Sequence, residues 1–517
     1  MSGAITASSQ EAADAGVSVL RAGGNAVDAA VAAALATCVA DPSNVGLGGY
    51  GGFMLVAPRG APARCIAFPL CAPASLSPDT LTREYPSSGP PCSSVPNVVA
   101  GIGRAAREFG TLPWATLVEP AIALARNGVT ANMTTRRALD LCRGLPFVAE
   151  CFLLHEEPTG RETALTFRQP ALAATLASLA ERGPDWFYEG PLGGTAQRAA
   201  QEAGSNTSLD DWRRYDEAVQ STLAPTFECN GLRMFAAPLD LSGSPCLFAM
   251  FAAASRASTR EGLIEGSALA DLAHAMASVW QYRFAAPSGN ELSDVDITEW
   301  VDRALKCDRQ TSLAPRISHT AHLNAVDGDG TMVALTFTHG HAPFGGRWAI
   351  PASGVIMNAG MHNFTASPVV EHNGRVFGVS NMTPTIAVDD EDVSIAIGCP
   401  GARRIPSNIA MALAWHRLAG YGLQQAVSAG RVHAEDHARV SCETARLGGA
   451  RAEALRRRFR VVEDETGESY YGPLTAIRYA PTQIEIGLDD RLFKGFGARP
   501  DRPRSGEAPS RGRRNID

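Results

Sequence analysis

Two threonines, Thr320 and Thr338, stand at opposite ends of a stretch that reads as one hairpin. From Thr320 the apolar period is two through Ala321-His-Leu-Asn-Ala-Val326, a turn follows at Asp327-Gly-Asp-Gly330, and Met332-Val-Ala-Leu-Thr-Phe-Thr338 runs back. A tight turn there sets residues near 320 opposite residues near 337, so the start of one strand faces the end of the other. Histidines cluster beside them: His339 and His341 flank Gly340, and His362 follows. Side chains at 339 and 341 would share a face if the strand ran on, but Gly340 and the following Ala-Pro interrupt it. No carboxylate or cysteine completes a ligand set, so no metal and no cofactor are expected. The string Gly46-Leu-Gly-Gly-Tyr-Gly-Gly52 means close backbone approach; it lacks the terminal Lys-Ser/Thr of a phosphate loop.

The elements that must position these residues read as a layered mixture of helix and strand. Ser9 to Val39 carries small and apolar residues at helical spacing, broken at Gly23-Gly24, and predicts two helices. The second is Ala-rich on every side, which implies burial against neighbouring backbone. Phe53-Met-Leu-Val56 is a predicted strand. Residues 100 to 205 read as mostly helical, 210 to 235 as short strands, 258 to 285 as helix, and Asp302 to Ser318 as a polar, proline-containing segment. Thr385 to Val388 and Val393 to Ile397 form a second strand pair across an acidic turn. The tail, 498–517, is rich in Arg, Pro, Gly and Ser and is expected to be mobile.

The chain has 517 residues, 45% apolar and 19% charged, with a formal charge of -7. That is the profile of a loop-rich enzyme, and it argues against nucleic acid, which needs a basic patch. The longest nearly apolar run, Ala29 to Ala40, is too short to span a membrane, so no membrane partner is expected. The opening MSGAITASSQEAADAG lacks the basic start and apolar core of a secretory signal, and the eleven cysteines include no CxxC pair, so a cytoplasmic setting with free thiols is expected.

Five segments resemble the gamma-glutamyltranspeptidase family, in that family's order: Leu20 through Arg-Ala-Gly-Gly-Asn-Ala-Val-Asp-Ala-Ala to Gly46-Leu-Gly-Gly-Tyr-Gly-Gly-Phe-Met-Leu55; Val98-Val-Ala-Gly with the region opening at Leu112-Pro-Trp-Ala-Thr-Leu117; Phe187-Tyr-Glu-Gly190; Thr320-Ala-His-Leu-Asn-Ala-Val-Asp327; and Met382-Thr-Pro-Thr385 followed by Gly398-Cys-Pro-Gly401. The resemblance implies an α/β (α+β) fold, the four-layered αββα sandwich of the N-terminal nucleophile hydrolases. It also implies self-cleavage between His319 and Thr320 into 1–319 and 320–517, which would stay associated as one interleaved unit.

A threonine hydroxyl is a weak nucleophile without a base, and the amine freed at Thr320 would supply one from the same residue, with a pKa near 8. By the resemblance, Thr338 orients the nucleophile. Gly401 and Ala402 fall at the paired glycines whose N–H groups form the oxyanion hole, and an alanine in the second place keeps its N–H. His322 is expected to support the site from behind.

The glutamyl clamps of the family are mostly missing. Its carboxylate-binding arginine falls at Pro69, its asparagine near Gly340, its amide or acid at Gly360 and its aspartate at Asn363; Ser380 is retained, with Asn381 beside it in place of a serine. Arg347 and Arg403 stand where the family usually has smaller residues. They are expected either to bind a substrate carboxylate from a new side or to lie solvated beside a groove. His339 and His341 are candidates to bond a substrate carbonyl.

The leading expectation is therefore hydrolysis of a small, non-glutamyl acyl or amide substrate bearing a carboxylate, through a covalent Thr320 intermediate. The alternatives are carbon-carbon cleavage that removes an oxalyl-type group in an antibiotic precursor pathway, gamma-glutamyl hydrolysis or transfer, and a catalytically silent scaffold.

Overall fold

Two antiparallel sheets lie face to face in the computed structural model, which describes residues 3–81, 84–159, 162–257, 260–285, 296–309, 319–341, 343–365, 368–463, 471–491 and 496–500. In spatial order the first sheet runs Phe496–Ala498, Ala4–Ala7, His319–Val326, Met332–Gly340, Gly51–Ala57, Arg64–Phe68 and Gln220–Leu223. The second runs Gln483–Leu488, Thr475–Ala480, Ser394–Gly398, Thr385–Asp389, Leu232–Phe235 and Thr226–Cys229. Both sheets mix strands from before and after residue 319.

Each sheet is apolar on both faces, so each needs cover on its outer side. Helices Gln10–Arg21, Ala26–Ala40, Val98–Phe109 and Trp114–Asn127 share a core with the seven-stranded sheet. Helices Ser244–Ala257, Ser267–Ala285 and Arg404–Leu413 do the same for the six-stranded sheet. A third cluster, including Phe53, Leu55, Ala334, Ile386, Ala396 and Ile477, fills the space between the sheets. The result is the expected αββα sandwich.

Every residue of Ala26–Ala40 is buried, as its composition requires: small side chains let it approach both the helix before it and the hairpin strand His319–Val326. Its start is tied to the hairpin. Asn25 and Asp28 form a capping box, and the Ala26 N–H donates to Asp327 Oδ2 at 3.0 Å. The other oxygen of Asp327 accepts from the amides of Asp329 and Thr331 at 3.1 and 3.0 Å. One carboxylate thus closes the turn and fixes the helix end against it.

The sequence reading needs correction in four places. Residues 100 to 205 are not helical throughout: Leu153–Thr159, Glu162–Arg168 and Val129–Thr130 form a three-stranded sheet. The alternation of buried Leu165 and Phe167 with more exposed neighbours is the period-two signal for it. The helix Ser244–Ala257 precedes the helical stretch that was expected to start at 258. In the polar segment, Asp302 to Leu305 belong to the helix Ile297–Leu305, capped by Asp296 at the amides of Thr298 and Glu299, while residues 310–318 lie outside the described residues. Of the expected mobile tail, Ala498 ends a sheet strand, Arg499 donates to the Ile484 carbonyl and the Pro500 carbonyl accepts from Arg21. Residues 501–517 lie outside the described residues.

All eleven cysteines are free thiols. Among the described residues no helix is long and apolar enough to cross a membrane, and no group of three or more His, Cys, Asp or Glu side chains is arranged to hold a metal ion.

Candidate active site

The hairpin places Thr320 directly opposite Thr338, and the pairing then slips so that His319 faces Gly340. His339 is the extra residue, which makes a bulge at the His319–Thr320 bond. Both threonines are buried, and their hydroxyl oxygens are 3.4 Å apart, with Thr320 as donor. The Thr338 hydroxyl in turn donates to the His319 carbonyl and accepts from the Gly340 N–H at 2.9 Å. In the intact chain the nitrogen of Thr320 is a peptide amide and can take no proton. The arrangement suits attack on the His319 carbonyl, because that carbonyl already receives a hydrogen bond that would strengthen as its oxygen gains charge.

The bulge also separates the histidines. His339 is fully buried, with its main chain bonded to Asn44 and Ala359 and its ring against Gly46: a Cβ there would come 2.7 Å from Nε2. Burial first, then the nearby His319, pushes the ring down to about 3. The His319 ring bonds Asn44 Oδ1 through Nδ1 at 3.1 Å. Burial, followed by the charges of His341 and Arg347, lowers it to about 4, so both latter side chains lie within electrostatic reach of the His319–Thr320 bond. The His341 ring centroid is 4.9 Å from that of His362, whose Nδ1 meets the Tyr85 carbonyl at 3.0 Å. Arg347 adopts a left-handed φ of 54°, and its Nε is buried without a hydrogen-bond partner.

His322 lies on the same sheet face as Thr320, two residues on. Its Nδ1 is 2.8 Å from the Thr336 hydroxyl and its Nε2 3.0 Å from Asn324 Oδ1. Asn324 gives its amide nitrogen to Thr6 Oγ1 and to the Thr475 carbonyl, so its oxygen faces the ring. Nε2 therefore carries the hydrogen, and Nδ1 accepts from Thr336. Burial lowers this ring to about 4. A neutral imidazole that is bonded on both nitrogens supports the strand and has no site left for proton transfer.

From the facing sheet, Gly398 packs so tightly on His322 that a Cβ would lie 2.2 Å from the ring. The chain continues from there into Cys399-Pro400-Gly401-Ala402. Gly401 and Ala402 have φ of 137° and 54°, and their carbonyls receive the amides of Arg404 and Ile405 at the start of the helix Arg404–Leu413. Among the described residues neither the Gly401 nor the Ala402 N–H is given to a backbone carbonyl. Two such donors at a helix start suit an oxyanion.

Of the remaining expected residues, Asn363 lies at the same hairpin end. A Cβ on Gly340 would come 3.2 Å from Asn363 Nδ2 and from the Tyr50 ring. Ser380 and Asn381 are half-buried in a turn, where Ser380 Oγ accepts from the Met382 amide at 3.0 Å and the Asn381 carbonyl accepts from the Thr383 hydroxyl at 2.9 Å. Pro69 offers only its carbonyl, taken by Asn97 at 2.7 Å. Arg403 is 4% exposed and paired through both Nε and Nη2 with Glu435 at 2.9 Å, so it is neither solvated nor aimed at open space. A cavity of about 870 Å³ between the helices Gln10–Arg21 and Trp114–Asn127 is lined by none of these residues.

Asn44 and Glu435 were not anticipated. The signal for Asn44 was Asp41-Pro-Ser-Asn44 ahead of the glycine string, a turn sequence whose side chains bond locally: Asn44 Nδ2 lies 3.0 Å from both oxygens of Asp41. Glu435 carried no local signal.

Similarity to known proteins spans nearly the whole chain. The family profile described as gamma-glutamyltranspeptidase matches residues 12–495. A glutathione hydrolase proenzyme of Pseudomonas aeruginosa is 28% identical over 95% of this chain and 93% of its own length. The acylase ACY 1 proenzyme of Pseudomonas sp. strain SE83 is 28% identical over 81% of this chain and 80% of its own. Among solved structures, a cephalosporin acylase from Bacillus halodurans superposes with a TM-score of 0.78 at 23% identity, covering 96% of both chains.

Proposed function

The chain belongs to the gamma-glutamyltranspeptidase family of self-processing N-terminal nucleophile amidohydrolases, and on that premise we propose that it cuts itself between His319 and Thr320 and then uses Thr320 to hydrolyse a small, carboxylate-bearing amide that is not a gamma-glutamyl compound. The observation that carries this reading is the chain of hydroxyls from Thr320 to Thr338 to the His319 carbonyl. In the first step Thr320 Oγ1 adds to that carbonyl, the amide nitrogen leaves with a proton, and water releases the resulting ester. Residues 1–319 and 320–517 remain one unit, because every cut-adjacent strand stays hydrogen-bonded to strands of the other fragment.

In the processed enzyme the new amine of Thr320 takes the hydroxyl proton and later delivers it to the leaving group. The N–H groups of Gly401 and Ala402 receive the oxyanion. Selectivity rests on Arg347: its charge acts on the His319 ring, its Nε is buried without a hydrogen-bond partner, and the family's own arginine position is taken by Pro69. His341 and Asn363 are assigned to the approach because the His341 charge reaches the His319 ring and Asn363 Nδ2 lies beside Gly340, and Ser380 and Asn381 are assigned by the family resemblance. The preference for an amide follows from the acylase and glutathione hydrolase likeness, and the eleven free thiols support a cytoplasmic setting.

The test is a panel of glutaryl, succinyl, oxamoyl and gamma-glutamyl anilides, with α-keto acids included as probes of carbon-carbon cleavage. The dicarboxylate-derived anilides should be turned over fastest. Arg347→Ala should raise KM for them by roughly tenfold to a hundredfold, the size of a lost charged hydrogen bond, with kcat little changed. Faster turnover of gamma-glutamyl anilide, or of an α-keto acid, would overturn the substrate assignment.

A further inference from the structure

Gly401 and Ala402 hold left-handed backbone angles that an alanine rarely adopts, and a segment with such angles keeps them only when its surroundings over-determine it. The next residue supplies that constraint. Arg403 is buried and grips Glu435 with two parallel hydrogen bonds of 2.9 Å, and its guanidinium lies 5.5 Å from the centre of the Phe284 ring. Glu435 is itself held: His433 Nε2 is 3.0 Å from the same carboxylate, and Gln281 donates to the Glu435 carbonyl at 2.8 Å. The other ring nitrogen of His433 is 2.7 Å from the hydroxyl of Ser407, on the helix that begins just after the loop. With Nε2 donating to the carboxylate, Nδ1 is left to accept from Ser407. The loop is thereby tied at Arg403 and again one helical turn later, to a single carboxylate.

We propose that Glu435 is a positioning residue for the oxyanion loop, acting through Arg403, and that Arg403 is not a substrate ligand. The inference rests on the assignment of Gly401 and Ala402 as oxyanion donors. Burial works against the charge on Glu435, yet the hydrogen bonds from His433 and Arg403 and the arginine's charge hold its carboxyl below the usual range. The carboxylate is therefore ionised at neutral pH and offsets the arginine charge beside the helix start. A neutral amide of the same shape keeps one acceptor oxygen, for Arg403 Nε and His433 Nε2, but loses both the charge and the acceptor for Arg403 Nη2.

The experiment compares Glu435→Ala, Glu435→Gln, Arg403→Ala and the double variant Arg403→Ala/Glu435→Ala in processed enzyme, using glutaryl 4-nitroanilide as probe and hydrogen exchange of peptides spanning residues 399–405 as a second, substrate-free readout. Glu435→Ala should lower kcat about tenfold to a hundredfold with KM unchanged within twofold, the span expected for a displaced oxyanion donor. Glu435→Gln should recover part of that loss, and the double variant should be no worse than the poorer single variant. Exchange across residues 399–405 should quicken in both alanine variants and return toward wild type in Glu435→Gln. An Arg403→Ala effect confined to KM would make Arg403 a substrate ligand and overturn the proposal, as would unchanged exchange or losses that multiply in the double variant. If wild-type protein cleaves itself but leaves the anilide untouched, the substrate reading fails while the exchange data still decide the role of Glu435.

Discussion

At Thr338 one hydroxyl is asked to do two things. It accepts the Gly340 N–H, which leaves its proton free for the His319 carbonyl, and it lies within reach of the Thr320 hydroxyl. Removing it should therefore slow self-cleavage without unfolding the strand. Thr338→Ala is expected to lengthen the half-time of cleavage by about 10²-fold, as for the loss of one oxyanion donor, and Thr338→Ser to restore most of the rate. A time course of fragment appearance on denaturing gels measures both, and equal rates in wild type and Thr338→Ala would remove Thr338 from the mechanism. This pairing was legible in the sequence, since a hairpin turn at Asp327–Gly330 fixes which residues meet. The bulge at His339 was not. It shifts the register by one residue, and that slip directs the His339 ring against Gly46 while the charge of His341 still reaches the His319 ring.

The elements that hold the site are matched by contacts across the sheets rather than along the chain. Gly398 ends its strand against the His322 ring, and a methyl group placed 2.2 Å from that ring has nowhere to go. Gly398→Ala should tilt the imidazole away from Thr336 and Asn324, lower stability by roughly 1 to 3 kcal/mol as in other overpacked cores, and retard cleavage at the same time. Thermal unfolding and the cleavage time course report the two effects; an unchanged Tm would show that the sheets do not meet there. Strand and helix positions in the central hairpin, the first helix and the Thr385 pair were readable because each has a clean period and a turn or cap at its ends, and the second helix was readable from its Ala-rich composition between Gly23-Gly24 and Asp41. The small sheet containing Leu153–Thr159 was missed because its strands are half-exposed and sit among true helices. The partnership of Arg403 with Glu435 could not be read at all. It joins residues thirty-two apart whose meeting depends on how the helix Arg404–Leu413 packs.

Across the whole molecule the proposed cut after residue 319 lies on an inner strand of the seven-stranded sheet, with the half-buried His319 ring and the buried His322 and His339 rings near it. His319, His322 and His339 are held neutral, with values pushed from about 6.5 down to about 4, 4 and 3. Above pH 6.5 these rings are neutral whether the chain is folded or not, so they impose no pH dependence there. Below it the unfolded chain takes up protons that the folded chain refuses, and stability falls by up to about 1.4 kcal/mol per pH unit for each ring until its folded value is reached. Tm should accordingly decline steeply between pH 6.5 and 4.5, and a flat profile over that interval would mean the rings are solvated. The most direct test of the central claim is intact and peptide-level mass spectrometry of freshly purified protein beside a Thr320→Ala control. The account predicts two co-eluting fragments in the wild type, the second beginning at Thr320, and an uncut control; a single full-length wild-type species with a cooperative Tm, or a control cut at the same bond, would contradict it.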